Sequence, residues 1–201
     1  MIETDEELKK TFKNFVAKFK RFEDWVFIEW CNANGSSNCR IRYIINEKEG
    51  ELHISGDLGS GVFYWYSKNT WQDIARYANN FSYFNSKAEA KSDYGMTDWD
   101  VAKDDLRDFI QEYVEDEALK EIGYTEDKFI DEAMEGWSLY GDGAFTRDGF
   151  ADEDVINFLL DNEFYSAGKV ASNRERLWAI GLQMILEKYG DEGVHVNEYK
   201  E

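Results

Sequence analysis

The chain has 201 residues, of which 43% are hydrophobic and 16% aromatic, and its formal net charge is −19. This aromatic content excludes a disordered acidic chain, because such chains are too poor in apolar residues to form a core. Between Asp98 and Glu163 there are 22 acidic and 5 basic residues, whereas residues 1–90 hold 13 acidic and 12 basic ones, so the acidic half disfavours a nucleic-acid ligand.

The first predicted element is a helix that begins at Thr4. Thr4 and Glu7 have the spacing of a capping box, in which each residue satisfies a backbone amide of the other. Apolar residues follow at helical spacing: Leu8, Phe12, Phe15, Val16 and Phe19. The remaining positions are rich in lysine, and we expect them to be solvated.

Four strands are predicted next, separated by short turns. Their sequences are aromatic and β-branched, and the second alternates apolar and basic residues with a period of two. The predicted strands are Trp25–Cys31, Cys39–Ile45, Glu51–Ser55 and Val62–Tyr66. Short connections between consecutive strands favour an antiparallel meander. Cys31 and Cys39 flank the first turn, and we interpret them as two reduced thiols.

From Thr70 onward the pattern becomes helical. Helices are predicted from Thr70, over Thr97–Lys120, from Thr125, over Ala151–Asn162, and from Ser172, where Glu175 completes a second capping box. We expect Gly141–Gly149 to be a loop and the tail after Gly190 to be frayed. The predicted fold is α+β: a helix and a small antiparallel sheet of about four strands in residues 1–95, followed by an acidic helical subdomain in residues 96–201 of one continuous domain.

The acidic helices provide the candidate binding residues. At about 100° per residue, the predicted helix over Thr97–Lys120 places its apolar side chains on one side and its carboxylates on the other. In this interpretation the part of the helix from Asp98 to Glu117 carries a net −7 over about 30 Å, close to the charge density of one DNA strand. The candidate partner-binding residues are Asp100, Asp104, Asp105, Asp108, Glu112, Glu115, Asp116, Asp127, Asp131, Glu132, Glu135, Asp152, Glu153 and Asp154.

No catalytic constellation, cofactor motif or metal site is predicted. The acidic segments do not match a calcium-binding loop, and the two histidines, His53 and His195, have no nucleophile at motif spacing. Gly56–Gly61 resembles a phosphate-binding loop only in composition, because it joins two predicted strands, so we interpret it as a hairpin. We therefore expect a protein that is not an enzyme and binds no cofactor.

No membrane-spanning stretch and no signal peptide are recognisable, so we expect the protein in the cytoplasm. The segment Ile54–Gly59, followed by Val62–Trp65, resembles a pattern found in small proteins of bacteriophages and prophages, and Tyr83–Lys87 extends the resemblance. The acidity is similar to that of anti-CRISPR and antirestriction proteins that mimic DNA. The resemblance carries no residue-level motif.

The resemblance implies a phage-encoded inhibitor of a bacterial defence nuclease, such as a CRISPR effector or a restriction enzyme, acting in the cytoplasm of the host. In this hypothesis the acidic helices occupy the nucleic-acid channel of the nuclease and exclude DNA, without direct nucleic-acid or membrane binding. A second hypothesis is an adaptor or inhibitor that uses the aromatic sheet, through Trp30, Trp65 or Tyr66. A third is an enzyme or a nucleotide-binding module that acts through Gly56–Gly61.

Overall fold

The computed structural model describes residues 3–92, 96–114, 116–137, 144–145, 152–190 and 197–198, with the backbone alone at 116–117 and 197–198. The chain forms two compact units. The first unit comprises Met1–Tyr94 and Ser172–Glu201, and the second comprises Gly95–Ala171. The helices and the largely antiparallel sheet give an α+β fold, as the sequence predicts.

A seven-stranded sheet dominates the first unit, in the order β6-β5-β4-β3-β2-β1-β9. Strands β1 to β6 pair with one another in antiparallel orientation, and β9 pairs parallel with β1. The strands of this sheet are β1 (Phe15–Phe22), β2 (Trp25–Asn32), β3 (Ile41–Asn46), β4 (Glu51–Gly56), β5 (Gly61–Tyr64), β6 (Ala88–Lys91) and β9 (Asn197–Glu198). A separate two-stranded sheet in the second unit is formed by β7 (Met96–Thr97) and β8 (Lys169–Val170).

The four predicted strands and their meander are confirmed as β2 to β5.

Four helices pack with the sheet into the first core. They are α1 (Asp5–Lys9), α2 (Trp71–Tyr77), α3 (Phe81–Asn85) and α8 (Asn173–Tyr189). The capping boxes of Thr4 with Glu7 and of Ser172 with Glu175 are both present.

The predicted first helix is wrong in its second half, and the prediction of about four strands is too low. The helix ends at Lys9, a 3-10 turn covers Lys10–Phe12, and Phe15–Phe22 is strand β1. Aromatic residues at 15 and 19 suit a helix spacing, but the segment also alternates with a period of two. The strand is favoured because it pairs along its whole length with β2, which satisfies the backbone of both.

Helix α8 crosses the sheet in close contact with β3. The hydroxyl of Tyr43, which is fully buried, donates a hydrogen bond of 2.9 Å to the carbonyl of Trp178. A Cβ atom at Gly181 would lie 2.3 Å from the same hydroxyl, so glycine is required by the closeness of this approach. The predicted division placed α8 in the acidic half, but the structure places it in the first unit.

Among its described residues, the second unit has four helices around its own apolar core. They are α4 (Trp99–Tyr113), α5 (Asp116–Glu121), α6 (Glu126–Glu135) and α7 (Glu153–Asp161). Helix α6 packs against both α4 and α7. Buried residues include Leu106, Phe129 and Leu159, one from each of these three helices. The predicted loop over Gly141–Gly149 lies outside the described residues except for Ala144 and Phe145, and so does most of the tail after Gly190.

The long helix predicted over Thr97–Lys120 is two helices. Helix α4 ends at Tyr113, and Val114 adopts an extended conformation with φ −112° and ψ 123°. The last turn of α4 contains Glu112 and no basic residue, which is unfavourable beside the negative end of the helix dipole. A row of carboxylates at i, i+4 spacing adds repulsion, so a longer helix would bring further like charges into line.

We predict that Gly181→Ala destabilises the first unit by about 1–3 kcal/mol, as expected for a methyl group forced into a packed core. Chemical denaturation monitored by circular dichroism measures this loss. Tyr43→Phe removes the oxygen that the methyl group would meet, so the cost of Gly181→Ala should shrink in that background. An equal cost in both backgrounds would show that the contact with Tyr43 is not the reason for the glycine.

Candidate functional site

The outward face of α4 carries a row of carboxylates. Asp98 caps the helix by accepting hydrogen bonds from the amides of Asp100 and Val101. The apolar side, which includes Leu106, is buried in the core. At 100° per residue the opposite side carries an i, i+4 row, and all of its members are exposed: Asp100, Asp104, Asp108 and Glu112.

Helices α6 and α7 add further carboxylates to the surface of the second unit. On α6 a second i, i+4 row is exposed, formed by Asp127, Asp131 and Glu135, while Glu132 is half-buried. On α7, Glu153 and Asp154 are exposed in the first turn. These positions are favourable for α7 because its N-terminal amides carry a partial positive charge. Nine of the fourteen predicted residues are therefore exposed.

Two ion pairs neutralise part of this surface among the described residues of the second unit. Lys103 on α4 donates to Asp131 on α6 at 3.2 Å, so it lies between the two carboxylate rows. Arg107 donates to Asp104 at 3.1 Å within α4. Both acidic partners are about three-quarters exposed, so each pair contributes little to stability.

Two predicted residues have structural roles instead. Asp105 is half-buried, and its carboxylate accepts a hydrogen bond of 2.7 Å from the amide of Gly168 beside β8. Asp152 caps α7 by accepting from the amide of Asp154 at 2.8 Å, and it also accepts from the hydroxyl of Tyr124. These carboxylates already have partners, so we remove them from the candidate interface. Glu115 and the side chain of Asp116 lie outside the described residues.

The Tyr124–Asp152 hydrogen bond perturbs both groups. It raises the pKa of Tyr124 to about 12, with burial and the charge of Asp152 acting in the same direction. The same bond lowers the pKa of Asp152, helped by the amide of Asp154. Lys128 lies over the Tyr124 ring, with its Nζ atom 4.8 Å from the ring centroid. This cluster connects the start of α6 with the start of α7.

The charge density on α4 is lower than the sequence predicted. Its 15 residues include five acids and two bases, a net −3 over about 22 Å, or about one charge per 7 Å. One DNA strand carries about one charge per 3.4 Å. Helix α6 has a net −4 over 10 residues, about one charge per 4 Å. Helix α6 therefore has a charge density comparable to that of one DNA strand. Helix α4 approaches this charge density only when the charges of α6 are counted with its own.

Some exposed acids of the second unit were missed by the sequence prediction. Glu121, Asp161 and Glu163 are exposed at or just beyond the ends of α5 and α7. Their position after the last apolar residue of each helix is the signal that could have identified them. They add exposed carboxylates beyond the predicted rows.

The structure also shows where the residues of the second and third hypotheses lie. Trp30 and Trp65 are 1% and 8% exposed, so neither presents the surface to a protein partner that the second hypothesis requires, whereas Tyr66 is 74% exposed. Gly56–Gly61 joins β4 to β5, as predicted for a hairpin, and does not lead into a helix.

Within the described ranges, no group of three or more His, Cys, Asp or Glu side chains could hold a metal ion, and no helix has the length and apolar character of a membrane span.

Comparisons with protein-family models, with curated proteins and with solved structures found no match for this chain. The candidate site therefore rests on its own geometry and charge. Its members are the predicted residues on α4, α6 and α7 that are exposed, which we call the acidic surface: Asp100, Asp104, Asp108, Glu112, Asp127, Asp131, Glu135, Glu153 and Asp154.

We predict that Tyr124→Phe lowers the melting temperature of the second unit by about 5 °C at pH 7, because a hydrogen bond to a carboxylate is lost. Because the folded-state pKa of Tyr124 is raised, its hydrogen bond stabilises the second unit fully below pH 10. This contribution is lost as the pH rises through about 12. The lowered pKa of Asp152 contributes stability that is lost as the pH falls through its folded-state value, below 3.8.

Thermal unfolding across this pH range measures the difference between Tyr124→Phe and the original protein. The difference should be largest from about pH 5 to 9 and should shrink at both extremes. Tyr165→Phe is the matched control, since Tyr165 is 57% exposed in the same unit. An equal effect of the two substitutions, or a difference independent of pH, would contradict the assignment.

Proposed function

We propose that this protein is a phage-encoded inhibitor of a bacterial defence nuclease, of the anti-CRISPR type, which acts in the host cytoplasm by occupying a nucleic-acid-binding channel with its acidic surface. The observation that carries this proposal is the exposure of nine carboxylates on three packed helices, with two described bases paired to them. A channel lined by lysine and arginine is the surface with the complementary charge.

Charge complementarity also accounts for the kind of inhibition. Nucleic-acid channels attract phosphates through basic side chains, and a carboxylate can take the place of a phosphate in such a contact. A negative field of this size speeds the encounter with a basic surface and falls off with added salt. The protein would compete with DNA for one site and would have no need for a catalytic group.

A solvated surface that serves solubility is the main competing explanation. It does not account for the distribution of charge, because the first unit has a net −3 and the second a net −16. Nor does it account for the acidic last turns of α4 and α6, which contain no basic residue and so oppose the helix dipole. Acids placed where they reduce helix stability favour a binding role.

A second candidate function uses the sheet of the first unit. Phe22 and Phe27 are 53% and 38% exposed on β1 and β2, and Tyr66 is exposed just after β5. Exposed aromatic side chains are typical of protein interfaces. An adaptor or inhibitor of this kind would bind through these residues, and its affinity would change little with salt.

We test the proposal by neutralising four carboxylates that form no described ion pair: Asp108→Asn, Glu112→Gln, Asp127→Asn and Glu135→Gln. The immobilised protein captures partners from bacterial lysate at low salt, and mass spectrometry identifies them. We expect a nucleic-acid-binding nuclease that a short DNA duplex displaces. Its affinity should fall steeply between about 50 and 200 mM salt, because added ions screen the attraction between the acidic surface and basic groups.

The quadruple variant should lose this capture. A matched control removes the same charge from exposed positions of the first unit, by Glu23→Gln, Asp24→Asn, Glu49→Gln and Asp57→Asn, and should retain it. Equal capture by both variants, or a captured protein that DNA does not displace, would contradict the proposal. Loss on Phe27→Ala with no dependence on salt would favour the sheet surface instead.

A further inference from the structure

A cleft opens in the first unit between the start of β1 and the C-terminal half of α8. It has a volume of about 340 Å³, within the range of small-molecule sites. Its lining combines three aromatic side chains with long flexible ones: Phe12, Lys13, Phe15, Trp30, Met184, Glu187 and Lys188. None of these residues belongs to the acidic surface.

The aromatic part of the cleft is closely packed. The rings of Phe12, Phe15 and Trp30 contact one another, with centroid distances of 5.0, 6.0 and 5.7 Å. All three residues are at most 5% exposed. Their positions are held by the 3-10 turn, by β1 and by β2, so they present a preformed apolar wall.

Trp30 contributes an unused hydrogen-bond donor. Its indole Nε1–H is buried and has no acceptor among the described residues. A buried polar group without a partner costs about 1–3 kcal/mol, and such groups are rare in folded proteins. An acceptor atom that entered the cleft beside the indole would remove that cost. Lys13, Met184 and Lys188 are long, flexible side chains that can move to admit it.

The rim of the cleft is cationic. Lys13 and Lys188 line it and also line an adjoining cavity of about 420 Å³. Lys188 lies with its Nζ atom 3.4 Å from the carbonyl oxygen of Phe15. Glu187 is the one acid in the lining, and Lys9 lies close to it: the pKa of Lys9 is raised by its hydrogen bond to Glu6 and, less strongly, by Glu187.

We propose that this cleft binds a small organic carboxylate with an apolar body, independently of the acidic surface. The aromatic wall takes the apolar body, the lysines take the negative charge, and a carboxylate oxygen accepts from the Trp30 indole. A cation does not fit, because both lysines would repel it and Glu187 alone would attract it. An uncharged apolar molecule would leave the indole N–H without an acceptor.

Phenylacetate is the probe, followed by the indole N–H resonances of the ¹⁵N-labelled full chain. We expect a saturable shift of the Trp30 resonance, which Trp30→Phe identifies by its disappearance. Trp65 is an internal control, because its buried indole N–H also lacks a described acceptor but does not line this cleft. Its resonance should not move.

Two comparisons test the role of charge. Lys13→Gln with Lys188→Gln should weaken phenylacetate binding about tenfold or more, while Lys48→Gln with Lys68→Gln, which removes equal charge elsewhere in the unit, should not. Phenylacetamide, the uncharged analogue, should also bind about tenfold more weakly.

The proposal is overturned by any of three results. The first is the absence of a saturable Trp30 shift up to about 10 mM phenylacetate, and the second is an equal shift at Trp65. The third is an affinity that is unchanged by the lysine substitutions or by loss of the carboxylate charge. Neutralising the acidic surface should leave phenylacetate binding unaffected, so this test and that of the proposed function can fail separately.

Discussion

The packing of α6 between α4 and α7 has to overcome repulsion among the carboxylates that the same helices carry. Each helix buries an apolar side in the core of the second unit, which includes Leu106, Phe129 and Ile156. Burial of a large apolar side chain contributes about 1.5–3 kcal/mol, whereas an i, i+4 pair of like charges costs a few tenths. The apolar core therefore outweighs the repulsion, and the acids can remain exposed although only Asp104 and Asp131 among the nine form described ion pairs.

The same balance limits the length of the helices. Helix α4 ends at Tyr113, and α6 ends at Glu135, each with an acidic last turn and no base there. The acidic surface is consequently assembled from short segments on three helices and not from one long helix. This arrangement spreads the negative charge over a surface. Such a surface suits a basic channel better than the single row on α4, whose charges are more widely spaced than DNA phosphates.

The sequence predicted most elements but not their limits. Alternation and turn residues identified β2 to β5, and capping residues identified α1 and α8. Strand β1 was missed because aromatic residues at 15 and 19 fit both periods, and only pairing with β2 decides between them. The site was predictable as a set of charges, but the structural roles of Asp105 and Asp152 depend on Gly168 and Tyr124, which are distant along the chain.

Amide hydrogen exchange at two salt concentrations tests most directly whether the second unit maintains a self-repelling acidic surface. At about 0.5 M NaCl, where repulsion is screened, the amides of α4 and α6 should exchange more slowly than at about 0.05 M. The amides of the sheet in the first unit, which is nearly neutral, should change little. If salt leaves the exchange of α4 and α6 unchanged, or slows the sheet equally, the carboxylates do not repel one another enough to support this account.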